Sequence, residues 1–593
     1  MKNTWKTINK LLGKFQSKEE VRVMETTGGR LTDSQDISEF LCGYFANEGK
    51  RLCDQARAKL HTSASFGSVV KRQPVSQNSF EFARYSEREV ARFLGTMKSS
   101  SSGMDEFSLK LIKAAKTSVL PVLTHLINLS LDLGVFPEAL KIARVVPLHK
   151  GGKKDDPSNR RPISILPFFS KLYEKVVHAQ LSYYIEKNKI LMENQFGFRK
   201  GLSTDIAVLK LVDWISDAFE AGLIPAAVFL DMKKVFDTVD HSELIQALDS
   251  IGVKGSSLEW FSSYLHNRYQ IVQNGSSLSS KKKVECGVPQ GSILGPLLFI
   301  IFIDRVKHYL SEAGVILFAD DTLLFLAAPS LDVLYNKIHN AVSEFLTFSQ
   351  QNMLTLNFSK TFFMIFSRLS SSAGNDHITV QENVIKRVAT TKYLGFLIDE
   401  NLSWKNHSSA IAEKLSRGLG VMRRIKNLVP KKILKMIYFS IFYPYISYGC
   451  SIWASNFVTC FKRVQKLQNR AVKLLSEFDD SDEVPAHEHF KKNKLMDVSQ
   501  IRDYQVAIFS YKYLNQLLTP AFGNIFTFNR DLHDHNTRKA DNLTHEFRST
   551  TRASFVIRHY DPHVWNILPE CVKNAPSLSA FKSRAKKFLL SRE

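Results

Sequence analysis

The sequence predicts an α+β protein, and three observations predict it. Short apolar runs alternate with helical stretches between about residues 142 and 400, helical periodicity dominates on either side, and the composition is that of a packed globular chain. The length of 593 residues, at roughly 150 per domain, suggests about four packed units. Apolar residues make up 44% and charged residues 23%, which excludes disorder as the main state. Lys and Arg total 80 against 57 Asp and Glu, a formal charge of +23, so the natural partner is a polyanion.

Each element follows from local pattern. Met1 to Phe15 interleaves Lys with apolar residues and has no unbroken hydrophobic run, so it does not read as a signal peptide. Ser63 to Ser79 is Ser-rich and reads as a linker. Ser86 and Glu89 have capping-box spacing ahead of Val90, Phe93, Leu94 and Met97 at helical spacing, so a domain opens there. Ser99 to Gly103 makes a short break, and helical periodicity resumes from Phe107 to about Leu133. Ile206 to Phe219 reads as helix, while Ala226–Leu230 and Val315–Phe318 read as buried strands. Asn274-Gly275 signals a hairpin after Tyr269–Gln273. Beyond Trp404, Ile411, Leu415, Leu419, Met422 and Ile425 form an apolar stripe flanked by Lys414, Arg417, Arg424 and Lys426. A more polar tail begins near Asp479, and no repeat of fixed period occurs.

The six cysteines show no CxxC spacing, which argues against a zinc knuckle or a disulfide framework and fits a reducing compartment. Met436 to Phe461 carries no charge and is long enough to span a bilayer, but Pro444, Asn456 and its many Ser and Tyr residues favour buried helices. The expectation is a soluble protein of the nucleus and cytoplasm, with no membrane partner.

The sharpest local feature is Phe318-Ala319-Asp320-Asp321, flanked by strand-like residues on both sides. Two acids at a hairpin tip fit it, as does a plain solvated turn. Asp231 closes the apolar run 226–230, where a lone carboxylate is costly unless compensated. If Asp231 and Asp320 lie on neighbouring strands, their like charges call for cations, and two magnesium ions clamping an in-line phosphoryl displacement would supply them. Two unrelated acids at strand ends remain the alternative. Between them, Gly287 to Pro296 carries glycines that would let a base pair or sugar approach the backbone, and Ser292 stands where it can cap the apolar helix that follows. A plain loop before a buried helix reads equally from those residues.

In order and spacing these motifs resemble the reverse transcriptases of non-long-terminal-repeat (LINE-type, jockey-like) retrotransposons, from about Ser86 to Ala471 and more loosely to Leu590. The resemblance implies a right-hand polymerase with fingers, an antiparallel-sheet palm, a helical thumb and a mainly helical C-terminal extension. The corresponding divisions are 1–85 (N-terminal extension and linker), 86–225 (fingers), 226–403 (palm), 404–478 (thumb) and 479–593. It implies Asp231, Asp320 and Asp321 as catalytic metal ligands, Phe236 as an aromatic gate against a ribose 2′-hydroxyl, and Gln290 beside the incoming nucleotide. Lys360, in Asn357 to Thr361, would protonate or neutralise pyrophosphate. Tyr393-Leu394-Gly395 resembles the primer grip, and Lys150 and Arg161 would bind the triphosphate. Gln195 to Gly201 would touch the template. Asn536-Thr537-Arg538 and Trp565 to Pro569 recur in such tails with no role derivable from the residues.

The chain departs from that pattern at Val235 (usually Ala), Asp304-Arg305 (usually Asn-Asp), Leu202 (often His) and Arg160 (usually Tyr). The residues before the polymerase, Met1 to Leu60, are too few for an endonuclease, so a separate nicking activity is expected. The implied activity is RNA-directed DNA synthesis with magnesium (or manganese), an RNA template, a DNA primer or target, and deoxynucleoside triphosphates. A catalytically silent RNA-binding relic is the alternative.

Overall fold

The computed structural model describes residues 20–62, 78–98, 103–105, 107–367, 375–454, 458–476, 484–532, 540–545 and 557–592. The readings of Met1 to Phe15, of residues 63–77 and 99–102, and of Asn536-Thr537-Arg538 lie outside them. The chain forms two compact units, each assembled from separated segments: 1–192 with 231–311 and 343–357, and 193–230 with 312–342 and 358–593.

The first unit holds a sheet in which Ile142–His149 is central, antiparallel to Arg160–Ile165 and parallel to Arg268–Asn274. The Asn274-Gly275 turn is the expected hairpin: Asn274 pairs with Ser277 while Gly275 takes φ +60°, and Lys282–Val284 returns along the same strand. The long helix Ser34–Thr62 covers this sheet through Ile37, Leu41 and Cys42, which join Val145 and Val272 in one core. The helix Glu87–Thr96 starts on its capping box, with Glu89 accepting from the Ser86 amide at 2.9 Å. The periodicity from Phe107 to Leu133 resolves into Leu109–Ala114 and Lys116–Leu133. Trp260 stacks on Tyr264 and Phe136 meets both edge-on, with ring centroids 5.1–5.6 Å apart. Burying such rings supplies most of the local driving force.

The second unit is built on a six-stranded sheet in the order His377–Val380, Asn383–Arg387, Phe362–Ile365, Ile224–Leu230, Asp321–Ala328, Gly314–Phe318. Ile224–Leu230 is central and buried along its length, which explains an apolar run with no alternation. All pairings within the sheet are antiparallel except Phe362–Ile365 with Asn383–Arg387. Thr204–Glu220 contains the expected helix 206–219 and stacks Trp214 on Phe325 at 5.3 Å.

Downstream the chain is helical. Lys405–Ile425 buries Ile411, Leu415, Leu419 and Met422 and exposes Lys414, Arg417 and Arg424. The uncharged stretch from Met436 is broken into Lys431–Ile441, Tyr443–Ser447 and Cys450–Trp453, with Pro444 at the start of the second piece. Among the described residues no helix is long and apolar enough to cross a membrane. In the tail, Tyr511 stacks on Phe581 at 4.2 Å, and Trp565 and Leu568 join the same core. Asn566 exchanges two hydrogen bonds with the Leu543 backbone, at 2.8 and 2.9 Å. The Trp565–Pro569 motif is thus accounted for by packing.

Candidate active site

In the second unit, Gly314–Phe318 and Asp321–Ala328 close as a tight hairpin whose last pair is Phe318 with Asp321. Ala319 takes the left-handed conformation at φ +57°, and Asp320 occupies the turn beside it. Both acids are exposed, at the tip the sequence predicts. Residues 194–197 brace this tip: Leu317 N donates to Asn194 O at 3.0 Å and Phe196 N to Leu317 O at 2.8 Å. Gly197 is required there, since a Cβ would stand 2.3 Å from the Ala319 nitrogen. The segment expected to meet a template therefore packs its first residues against the carboxylate-bearing turn. Tyr393 is buried; burial raises its phenol above the ordinary range and the Asp321 charge adds to the rise. Lys360 is exposed in the turn before Phe362–Ile365, whose Phe362 pairs with Phe229.

Asp231 follows Leu230 directly, at the strand end where Leu230 pairs with Thr322, the residue after Asp321. Asn357 holds Asp231 twice: its amide N donates to the Asp231 carbonyl at 2.8 Å and its Nδ2 to the carboxylate at 2.9 Å. Among the described residues no three His, Cys, Asp or Glu side chains gather into a metal-binding group. The available donors are hard carboxylate oxygens, of which Asp320 and Asp321 are open to solvent. Oxygen donors of this kind suit a hard divalent cation, whose remaining positions water and substrate phosphates fill.

In the first unit the chain turns after Asp231 so that Lys234 adopts φ +44° and Asp237 N donates to Lys234 O at 2.8 Å. Phe236 lies 4.4 Å from Phe299, ring to ring. Residues 287–296 fold back onto this turn: Gly287 N reaches Val239 O and Val288 N reaches Phe236 O, both at 2.8 Å. Gln290 Nε2 donates to Asp237 Oδ1 at 2.8 Å, and Gln290 O accepts from Ser164 N at 2.8 Å. Burial pushes the Asp237 carboxyl up to about 6, against the bond from Gln290 and the charge of Lys234.

At Gly287 and Gly291 the space that a base pair or sugar would need is filled by protein backbone. A Cβ on Gly291 (φ +129°) would lie 2.3 Å from Ser164 O, and one on Gly287 (φ +85°) 2.7 Å from Phe236 O. Ser292 Oγ accepts from Gly295 N at 2.9 Å, while Leu294 holds the N-cap position of the helix.

Lys150 and Arg161 share one end of the strand pair Ile142–His149 and Arg160–Ile165, where Lys150 N donates to Asn159 O at 2.9 Å and Leu148 pairs with Arg161. Both side chains are exposed. The Lys150 charge acts on Asp237, which ties it electrically to the Gln290 pair.

Sequence reasoning gave no role to Glu174. It is fully buried, accepts from the amides of Ile293 and Leu294 at 2.6 and 3.4 Å, and takes the Tyr264 hydroxyl at 3.1 Å. A carboxylate at those amides anchors the start of helix Gly295–Ile303. Nothing in the surrounding periodicity marks it. Asp237 directly follows Phe236, and only its partner Gln290 reveals its importance.

The departures at Val235, Asp304-Arg305 and Arg160 are accommodated. Val235 is buried, Asp304 accepts from Met192 N at 2.7 Å, Arg305 pairs with Glu243 at 3.2 Å, and Arg160 donates to Lys154 O at 2.6 Å. None disturbs the backbone contacts of residues 287–295.

Residues 151–398 match the family model described as reverse transcriptase (RNA-dependent DNA polymerase). The chain is 28% identical over 388 residues to a probable RNA-directed DNA polymerase from transposon BS of Drosophila melanogaster, covering 64% of this chain and 43% of that one. It is 25% identical to the RNA-directed DNA polymerase from mobile element jockey of the same organism, covering 63% and 42%. The chain thus spans less than half the length of these relatives. Apo telomerase from Candida Tropicalis is similar at 12% identity over 76% of this chain and 80% of that one, with a TM-score of 0.35. The resemblance drawn from the motifs agrees with the relatives.

Proposed function

We propose that the reverse transcriptase domain formed by residues 151–398 synthesises DNA on an RNA template, as the polymerase of a non-long-terminal-repeat retrotransposon. The observation that carries this reading is the strand register: Leu230 pairs with Thr322, so Asp231 and Asp321 each adjoin a residue of that pair, and Asp320 is next along the chain. Carboxylates at these chain positions are the kind of donor that divalent cations use at a phosphoryl-transfer centre. Magnesium, when bound by Asp231, Asp320 and Asp321, would supply charge neutralisation and lower the pKa of a primer 3′-hydroxyl.

The chain's own residues do the rest. Asn357 orients the Asp231 carboxylate, and the left-handed Ala319 backed by Gly197 sets the turn that presents Asp320. Lys150 and Arg161 are exposed cations suited to the triphosphate, Phe236 and Gln290 form the nucleotide's protein wall, and Lys360 is the cation for departing pyrophosphate. The formal charge of +23 supports an RNA template and a DNA primer or target, with binding that falls steeply as salt rises. The division into fingers (86–225), palm (226–403) and thumb (404–478) and action in nucleus and cytoplasm are parts of this reading.

Primer extension on a poly-ribonucleotide template with magnesium, comparing wild type with Asp320→Ala, tests it. Extension by wild type and a loss of more than about a thousandfold in the variant is the expected result. Equal extension by both proteins, or by neither, rejects it.

A further inference from the structure

The Asp237–Gln290 contact carries an inference that the carboxylate row does not. An ionised carboxylate only accepts hydrogen bonds, so the Gln290 amide must turn its NH2 toward Asp237 Oδ1, as the 2.8 Å contact shows. Its carbonyl oxygen is then the group left for a ligand. If Asp237 were protonated, the pair would lose this single solution, because a carboxylic acid donates as readily as it accepts. Backbone contacts fix both partners. Asp237 is locked by its own turn and by the close approach of Gly287, and Gln290 by Ser164.

We propose that Asp237 is a positioning residue, whose carboxylate sets the orientation in which the Gln290 amide meets the incoming nucleotide. The proposal rests on the polymerase reading for the identity of that ligand. The groups that act on Asp237 come from each neighbouring element: Lys234 from its own turn, Glu48 from helix Ser34–Thr62, and Lys150 from the end of strand Ile142–His149. His241, Arg268 and Cys286 line a cavity together with Asp237 and Gln290. The two lysines favour the charged form and Glu48 opposes it, while burial brings the carboxyl up to about 6. Orientation is therefore held above about pH 6 and released below it.

The test uses Asp237→Asn, Gln290→Ala and the double variant in primer extension from pH 5 to 8. Asp237→Asn should raise the KM for deoxynucleotide about five- to tenfold at pH 8 with kcat changed less than twofold. It should add nothing in the Gln290→Ala background, and it should remove the fall in kcat/KM near pH 6. An equal effect in both backgrounds, or an unchanged pH profile, overturns the proposal. A second readout is independent of activity. In 15N-glutamine-labelled protein one side-chain amide pair should titrate near pH 6, and should be lost in Gln290→Ala and cease to titrate in Asp237→Asn. If that titration holds while wild type fails to extend a primer, the polymerase reading falls and the orienting contact stands. If no amide titrates, Asp237 does not orient Gln290, whatever the activity.

Discussion

Replacing Asp237 by Asn should stabilise the fold while impairing nucleotide use. The carboxyl is brought by burial up to about 6, against an ordinary value near 3.8. A rise of about two units corresponds to about 3 kcal/mol. The sign follows from proton counting. Between about pH 4 and 6 the native protein keeps a proton that the unfolded chain has released, so stability falls as pH rises and the full cost is in place above about pH 6. Asn carries no charge to desolvate. In one of its two amide orientations it still offers an oxygen to Gln290 Nε2, though the bond loses about 1 kcal/mol with the charge. The net expectation is a gain of about 2 kcal/mol at pH 8, closing toward zero near pH 4. Urea titrations across that range, followed by the fluorescence of Trp260 in the same unit, read the gain as a midpoint shift at constant slope. A variant less stable than wild type at pH 8, or a difference indifferent to pH, would refute the reasoning.

Other substitutions probe separate parts of the framework. Gly197→Ala drives a Cβ to within 2.3 Å of the Ala319 nitrogen, so it should cost about 2 kcal/mol or more in chemical unfolding and lower extension through the displaced turn. Glu174→Ala strands the Ile293 and Leu294 amides and removes the carboxylate facing Arg268; a loss of about 3–5 kcal/mol should appear as a lower thermal midpoint. Burial, with the Lys414 charge adding to it, holds His407 down to about 4, and Nδ1 accepts from Leu397 N at 3.2 Å, so the neutral ring is the native form. Its contribution is intact above about pH 6.5 and drains away as pH falls toward 4, about 3 kcal/mol in all. His407→Gln should flatten that part of the acid limb in urea titrations at pH 4.5 and 7.

How much of this was legible beforehand differs from residue to residue. The capping box at Ser86–Glu89, the Asn274-Gly275 hairpin and the acidic hairpin tip at Asp320–Asp321 could be read locally, because each rests on bonds within a few residues. The uncharged stretch from Met436 could not be divided by hydropathy alone; Pro444 decided where one helix stopped. The glycines of 287–295 were visible as places of close approach, yet what approaches them is Ser164 and Asp237, and a string of letters does not name a distant neighbour.

The sequence by itself determined the kinds of element, their order and the chemistry-bearing motifs, since helical and strand periods and turn residues act over one or two turns of chain. Only the tertiary structure decided that Leu230 pairs with Thr322, that Gln290 faces Asp237 and that Glu174 holds the Ile293 amide. Register and buried polar partnership are settled when segments separated by about fifty to more than a hundred residues close on one another. At that point the cost of an unpaired buried group selects the partner, and no local pattern encodes it.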